Sequence, residues 1–205
     1  MCGRYGRRAD KQRIAAAIQA GYTNVFEEMP PSFNVAPQTF QPVVRLSRDS
    51  GERELALMRW GLIPWWAKDG KIGFSTINAK AETLSTSPAF REAFQRRRCL
   101  VPADWFYEFA FAGLWKSWKD KATGERLYTY TIVTTDPNEV VAPLHNRMPV
   151  ILSPKDYYRW LAPLDLAHLP VDLLRPFPAD MMTAWKVSKA VGNVKNDDPS
   201  LIAPI

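Results

Sequence analysis

Short runs of apolar residues, separated by turns and prolines, follow one another along this chain, and their spacing changes from helical to strand-like. In residues 9–21, Ile14, Ala17 and Ile18 recur on one face of a predicted helix, and Asp10 stands where its side chain would cap the first turn. We expect this helix to pack on the core of the protein.

Runs rich in aromatic and β-branched residues predict strands. Val43–Leu46 and Glu54–Trp60 flank the turn sequence SRDSGE and predict a hairpin, whereas the proline-interrupted segment SFNVAPQ predicts a non-helical loop. Further strands are predicted over residues 99–109, 127–135 and 148–152, and further short helices begin at Ser87-Pro88 and Ser153-Pro154. The pattern therefore predicts an α+β fold, with a mixed, mainly antiparallel β-sheet flanked by short helices.

Length and composition narrow the class of protein. The chain has 205 residues, enough for a sizeable core, and residues 1–205 are expected to form a single domain. Apolar residues make up 46% and charged residues 23%, which excludes long disorder, collagen and coiled coil. No apolar run approaches the ~18 residues of a membrane helix and the first residues lack a secretory apolar core, so we expect a cytoplasmic protein without membrane contact. Cys2 and Cys99 are too few for a disulfide framework or a zinc site, although a single bridge between them stays open.

Positive charge is concentrated in the first half of the chain. The formal net charge is +6, of which residues 1–100 carry +7 and the remaining residues −1. A localised positive field favours a polyanionic partner, and eight tryptophans beside basic residues suit the stacking of unpaired bases. The alternative is that the tryptophans are large core residues and that the basic surface binds nothing in particular.

Cys2 is a candidate nucleophile because it follows the initiator methionine. Cysteine is small, so removal of Met1 is plausible and would leave one residue with both a free α-amine and a thiol. The pKa of an α-amine is about 7.7–8.0 and that of a thiol about 8.5, so both nucleophiles are partly available at neutral pH. The amine can condense with an aldehyde to a Schiff base, and the tethered thiol can close on the same carbon to give a thiazolidine. The alternative is that position 2 is an unreactive residue of a frayed terminus.

Three polar residues are candidate partners for this chemistry. Glu108 alternates with aromatic residues in DWFYEF, where burial would raise its pKa into the range useful for proton transfer; an exposed strand position would make it a surface carboxylate. His145 lies between a proline-marked loop and a strand, and the amide of Asn78 could donate to a sugar oxygen. The alternatives for these two are a structural histidine and a turn-forming asparagine.

Eight sequence blocks occur in a characteristic order: MCGRY, SFNVAP, RWGLIPWW, INAKAET, RRCLVPADWFYEF, IVTT, LHNRMPVIL and VSKAVGNVKN. Together they resemble the SRAP family of abasic-site processing proteins over nearly the entire chain. The resemblance implies a barrel-like SRAP fold and a covalent, reversible thiazolidine crosslink between Cys2 and the ring-opened aldehyde of an abasic site in single-stranded DNA. It also implies that Asn78 positions the sugar or the α-amine, that Glu108 assists proton movement, and that His145 is the acid/base for sugar opening and crosslink reversal.

The resemblance further implies a DNA-binding surface. Trp65 and Trp66, with Pro37 nearby, fall in the loop that family members insert into DNA at the lesion, where an apolar wedge can hold bases apart. The positions expected to contact phosphates are Arg4, Lys80, Thr134 and Arg147. No metal ion or other cofactor is expected, and the sequence names no protein partner.

Two departures from the family pattern affect these expectations. Lys80 stands where relatives usually have arginine, and lysine lacks the planar fork that grips a phosphate bidentately. Phe109 runs directly into Ala110, where relatives commonly carry another charged turn and strand, so the sheet is trimmed or residues are omitted near Glu108.

Two other functions stay open at this point. A thiol peptidase would use Cys2 to cleave the peptide bond after Met1, or another protein, and this activity could coexist with crosslinking. A non-catalytic single-strand-binding module would need the basic and aromatic surface but not Cys2.

Overall fold

The computed structural model describes residues 3–22, 29–104, 110–163 and 168–205. Its strands are β1 (Tyr5–Arg7), β2 (Gly21–Tyr22), β3 (Ser32–Val35), β4 (Phe40–Leu46), β5 (Arg53–Trp60), β6 (Asn78–Lys80), β7 (Arg98–Pro102), β8 (Ala110–Lys119), β9 (Arg126–Thr135), β10 (Met148–Pro149) and β11 (Ile151–Leu152). Its α-helices are α1 (Lys11–Ile18), α2 (Arg91–Arg96) and α3 (Tyr157–Leu161), and the other helical turns are short 3-10 segments.

Five of the strands close into a barrel. Around the ring, β9 pairs with β5, β5 with β4, β4 with β7, β7 with β8, and β8 again with β9. The β5–β9 pairing is parallel and the other four are antiparallel. The mixed, mainly antiparallel, barrel-like α+β fold expected from the sequence is therefore confirmed.

The two larger of three apolar clusters among the described residues fill the space inside and around the barrel. One contains Tyr5, Trp60, Phe111 and Tyr130, whose rings meet edge-on or stacked at centroid distances of 5.3–6.3 Å. The other joins α1, α2 and α3 to the outer face of the sheet and includes Phe94 and Trp160. The short helices thus support a sheet-built core.

The first helix is confirmed with one correction. Asp10 caps α1 by accepting a hydrogen bond from the backbone N–H of Arg13 at 2.8 Å, as predicted. The buried stripe, however, consists of Ile14, Ala15 and Ile18, and Ala17 is exposed. The prediction for Ala17 was wrong because the buried face of the helix includes the position after Ile14 rather than the position before Ile18.

The hairpin around SRDSGE is confirmed as β4 and β5, in register from Phe40 opposite Arg59 to Leu46 opposite Arg53. The strands predicted over 127–135 and 148–152 correspond to β9 and to the pair β10 and β11. The strand predicted over 99–109 is confirmed as far as Pro102, and residues 105–109 lie outside the described part of the chain.

Two predicted boundaries were wrong. The loop prediction for SFNVAPQ fails at Ser32–Val35, which pairs antiparallel with β1 before Pro37 ends the strand. The helix predicted from Ser87 begins only at Arg91, because the Ser87 carbonyl accepts from the N–H groups of Phe90 and Arg91 in a preceding turn. No helix in the described ranges is long and apolar enough to cross a membrane.

Candidate functional site

Three predicted site residues converge at one end of β9. Strand β6 lies parallel to β9, with Asn78 opposite Ile132 and Lys80 opposite Thr134. Asn78 is half-buried, Lys80 is exposed and Thr134 is buried. The parallel register therefore brings the amide and the lysine of INAKAET beside the IVTT strand.

His145 reaches this end of the barrel on the loop that precedes β10. Its side chain is exposed, and its Nδ1 accepts a hydrogen bond from the backbone N–H of Arg147 at 3.0 Å. Because Nδ1 is an acceptor, the neutral ring carries its proton on Nε2. This hydrogen bond fixes the orientation of the imidazole.

Arg147 is held by the protein itself. Its guanidinium pairs bidentately with the carboxylate of Glu82 at 2.9 Å, contacts Asp136 at 3.0 Å and donates to the Thr134 carbonyl at 2.7 Å. The hydrogen bond from Arg147 lowers the pKa of Glu82 below its ordinary value, against the opposing effect of burial. A phosphate at this expected contact would compete with two carboxylates for Arg147.

Arg4 is tied to the opposite end of the chain. Its guanidinium donates to Asn34 Oδ1 at 2.7 Å and to the carbonyls of Val191 and Gly192 at 3.1 and 3.2 Å. Asn34 is buried, and its Nδ2 lies within hydrogen-bond distance of three carbonyls in the same segment, those of Val191, Asn193 and Asn196. Asp197 completes this connection by accepting from the backbone N–H groups of β3.

Tyr5 anchors the residues that follow Cys2 in the barrel. Its ring is buried in the core cluster, and its hydroxyl lies 2.8 Å from that of Tyr130. The N–H groups of Arg8 and Ala9 donate to one carboxylate oxygen of Asp104 at 2.6 and 2.8 Å. Residues 4–9 are therefore held in place by the core contacts of Tyr5 and by the hydrogen bonds to Asp104, and they are not frayed.

A cavity of about 300 Å³ lies between these elements. Arg4, Tyr5 and Asn34 form one wall, and Val141 and Leu144 of the loop leading to His145 form another. The remaining lining comes from the C-terminal segment and includes Met182, Trp185, Val191 and Ile202. The start of the chain and the His145 loop thus border the same space.

The tryptophan loop, Gly61–Ala67, projects from the end of β5. Trp65 and Trp66 are 71% and 44% exposed, whereas Pro37 is half-buried. The loop turns at Gly61, whose φ is +123° and whose missing Cβ would collide with the Gly73 carbonyl. Backbone geometry therefore requires glycine here and directs the next residues away from the barrel.

Two of the predicted catalytic residues, Cys2 and Glu108, lie outside the described residues, so their roles remain predictions. Cys99, the other cysteine, is a free and fully buried thiol whose pKa is raised by burial. In the described ranges no three His, Cys, Asp or Glu side chains come close enough together to hold a metal ion.

Asn34 and Asp197 are the site residues that the sequence interpretation missed. Asn34 was noted only as part of SFNVAP, and Asp197 follows the block VSKAVGNVKN. Their contacts join positions more than 150 residues apart, which no local pattern indicates.

Comparisons with known proteins match almost the whole chain. The sequence model of a family described as SOS response associated peptidase (SRAP) matches residues 1–110 and 109–194. The abasic site processing protein YoqW of Bacillus subtilis is 41% identical over 225 aligned positions, covering 98% of this chain and 99% of that protein. The abasic site processing protein HMCES of Gallus gallus is 32% identical, over 85% of this chain and 66% of that protein.

Solved structures agree in fold. An X-ray structure of a protein from Bacteroides thetaiotaomicron superposes with a TM-score of 0.86 at 27% identity, over the full length of both chains. A second, from Bordetella bronchiseptica, gives a TM-score of 0.69 at 28% identity, over 88% of this chain and 96% of that one.

The same comparisons bear on the junction of Phe109 and Ala110. The family match is divided into two segments that meet at residues 109–110. The alignment to YoqW spans 225 positions, more than the 205 residues here, so that relative has residues without a counterpart in this chain. Both findings agree with the departure noted in the sequence.

Proposed function

Because this chain belongs to the SOS response associated peptidase (SRAP) family, we propose that it processes abasic sites in single-stranded DNA by forming a covalent crosslink through Cys2. Relatives from Bacillus subtilis and Gallus gallus carry the name abasic site processing protein. The proposal treats residues 1–205 as one domain and needs no metal ion or other cofactor.

The proposed reaction begins after removal of Met1. The α-amine of Cys2 adds to the C1′ aldehyde of the ring-opened sugar, and loss of water gives an imine. The thiol of Cys2 then adds across the C=N bond: sulfur bonds to the same carbon and the thiol proton passes to nitrogen, which closes a thiazolidine. Because both nucleophiles belong to one residue, the second addition is intramolecular and is favoured entropically.

His145 is proposed as the acid/base for opening the sugar and for reversing the crosslink. The hydrogen bond from the Arg147 N–H to Nδ1 fixes the orientation of this imidazole, which supports the role. Asn78 is proposed to position the sugar or the α-amine, and Glu108 to move a proton on that amine. The half-buried position of Asn78 beside β9 supports its assignment.

The tryptophan loop is proposed to separate the bases at the lesion, with Trp65 and Trp66 as the wedge and Pro37 beside it. Their exposure supports this, because a core role would bury both indoles. Lys80 is proposed to contact a phosphate from its exposed position. Thr134, which lies opposite Lys80 on β9, is proposed as a further phosphate contact. Arg4 and Arg147 are proposed phosphate contacts whose protein partners fix their guanidinium groups in place.

One observation carries the proposal: the anchored start of the chain and the loop leading to His145 line a common cavity. A terminal nucleophile is useful only if the residues after it are rigid, since each misplacement reduces the advantage of proximity. Tyr5, buried between Trp60 and Phe111, supplies that rigidity.

A thiol peptidase is the second candidate function, because the family description itself names a peptidase. Removal of Met1 by Cys2 would be one such reaction and is compatible with crosslinking. A single-strand-binding module without chemistry is the third.

A denaturing gel distinguishes the three functions. The purified protein is incubated with a single strand that contains one abasic site, beside Cys2→Ala and a variant extended before Cys2. Crosslinking predicts a denaturant-resistant adduct that both changes abolish. A binding module would shift the DNA only on native gels, and a peptidase would release a peptide without DNA.

Cys99→Ala is the matched control for the thiol. The Cys99 side chain is fully buried and its pKa is raised, so its removal should leave the adduct unchanged. Loss of the adduct in Cys99→Ala but not in Cys2→Ala would refute the assignment of the nucleophile.

A further inference from the structure

A second cationic region lies at the end of β4 away from the tryptophan loop. Phe40, at the start of β4, follows Thr39, whose carbonyl accepts from the Trp60 N–H. Leu46, at its end, is six residues farther on, which at strand spacing is about 20 Å. The residues around this region and those that line the cavity beside Arg4 and His145 do not overlap.

Three arginines of this region converge on one tryptophan. The guanidinium carbons of Arg45, Arg48 and Arg97 lie 4.3, 5.4 and 5.3 Å from the ring centroid of Trp115. Trp115 itself is only 3% exposed, and its backbone N–H donates to the Arg97 carbonyl at 2.8 Å. The indole thus forms a fixed platform for like charges.

These charges are only partly compensated. Arg45 pairs with Glu54 at 2.7 Å, and Glu92 serves both Arg97 and Lys116 at 3.0 and 3.1 Å. Two carboxylates therefore serve five cations, which are the three paired ones, Arg45, Arg97 and Lys116, and two more, Arg48 and Arg96. Within the described ranges, neither Arg48 nor Arg96 has an ion pair with a carboxylate.

The pKa of Arg48 reflects this excess of positive charge. Its pKa is lowered by burial and by the like charges of Arg97 and Arg45. Bringing uncompensated cations together is unfavourable, and an anion among them would relieve the repulsion.

A cavity of about 400 Å³ lies beside these arginines. Arg48, Arg96 and Arg97 line it together with apolar residues that include Leu46, Leu161 and Pro163. A volume of this order accommodates a group the size of a nucleotide. We call this cavity the arginine pocket; its cations are Arg45, Arg48 and Arg97 over Trp115 and Arg96 on the cavity wall.

We propose that the arginine pocket is a second phosphate-binding site, which holds the DNA strand beyond the lesion. The proposal rests on the proposed function, because it assumes that DNA already occupies the tryptophan loop. Planar guanidinium groups suit both bidentate phosphate contacts and stacking with bases, which favours nucleic acid over an acidic protein segment.

The test compares DNA length in two charge-reversed variants. Arg48→Glu/Arg96→Glu removes the two unpaired arginines, and Lys121→Glu/Arg175→Glu reverses the same number of exposed charges elsewhere. Dissociation constants are measured by fluorescence anisotropy for a short single strand that covers only the tryptophan loop and for a long strand that extends past the arginine pocket.

Wild-type protein should bind the long strand more tightly than the short one. Arg48→Glu/Arg96→Glu should weaken long-strand binding about tenfold, reduce the salt slope by about one for each phosphate that the variant no longer binds, and leave short-strand binding near that of the control. Equal losses of affinity for both lengths, or for both variants, would overturn the proposal. So would a glutamate-rich peptide that binds wild type but not Arg48→Glu/Arg96→Glu, with DNA affinity independent of length.

Crosslinking to the short strand separates this proposal from the proposed function. Arg48→Glu/Arg96→Glu should form the denaturant-resistant adduct on a short abasic strand as wild type does. If wild type forms no adduct, the crosslinking function fails, whereas the length comparison still decides whether the arginine pocket binds DNA.

Discussion

The tryptophans of the core and those of the tryptophan loop differ in their exposure to water. Trp60 and Trp160 are fully buried, and each indole N–H donates to a backbone carbonyl, those of Ile77 and Cys99. Trp65 and Trp66 project from the loop with large exposed fractions. The same residue type therefore serves core packing in one region, and in the other forms an apolar surface that folding does not use.

The burial of Trp60 and Trp160 fits the core interpretation of the tryptophan content, and the exposure of Trp65 and Trp66 is compatible with the proposed base stacking. Substitution of a core tryptophan should therefore reduce the free energy of unfolding, and substitution of a loop tryptophan should reduce the affinity for single-stranded DNA.

The largest effect is expected for Trp160→Ala, which leaves a cavity beneath α3 and removes the hydrogen bond from the indole to the Cys99 carbonyl. The free energy of unfolding should fall by about 3–5 kcal/mol. Denaturant titration measures this decrease. At temperatures where the variant is folded, its affinity for single-stranded DNA should match that of wild type. A selective loss of affinity would contradict the distinction between core tryptophans that stabilise the fold and loop tryptophans that bind DNA.

Trp66→Ala should show the reverse behaviour. Removal of one indole that stacks on a base is expected to weaken single-strand binding by about 1–3 kcal/mol, while the free energy of unfolding should change by no more than about 0.5 kcal/mol. Anisotropy titration and denaturant titration on the same sample test both statements. Unchanged affinity would remove Trp66 from the proposed surface.

Asn34→Ala tests a residue that belongs neither to the core tryptophans nor to the tryptophan loop. It removes the amide that connects β3 to residues 191–196, and water can replace some of these hydrogen bonds, so a cost of about 1 kcal/mol is expected. Amide hydrogen exchange should accelerate in residues 189–198 while β4 and β5 remain protected. Uniform acceleration would indicate that Asn34 contributes to the barrel as a whole.

Local patterns were enough for the hairpin of β4 and β5 and for the cap on α1. Strand β8 was not predicted, because its sequence AFAGLWKSWK lacks the apolar-polar alternation of a half-exposed strand. Its residues are buried on both faces, and even Lys116 lies inside, paired with Glu92. Strand pairing on both sides of β8 decided its structure, and a single segment cannot reveal that.

The candidate site depends on the same kind of long-range information. The motif blocks identified Asn78, His145 and Arg147, but the parallel pairing of β6 with β9 is what places the first beside the others. Nothing in the sequence around Arg147 indicated that Glu82, 65 residues earlier, would occupy its guanidinium. Pattern therefore named the residues, and topology supplied their partners.

The hydrogen bonds from Arg4 to the carbonyls of Val191 and Gly192 join positions 187 and 188 residues apart. On the ribosome these hydrogen bonds cannot form until residues 191 and 192 have been added, about 10–40 s after synthesis of residue 1 at ordinary elongation rates. Any removal of Met1 during translation therefore takes place before Arg4 is hydrogen-bonded to residues 191 and 192.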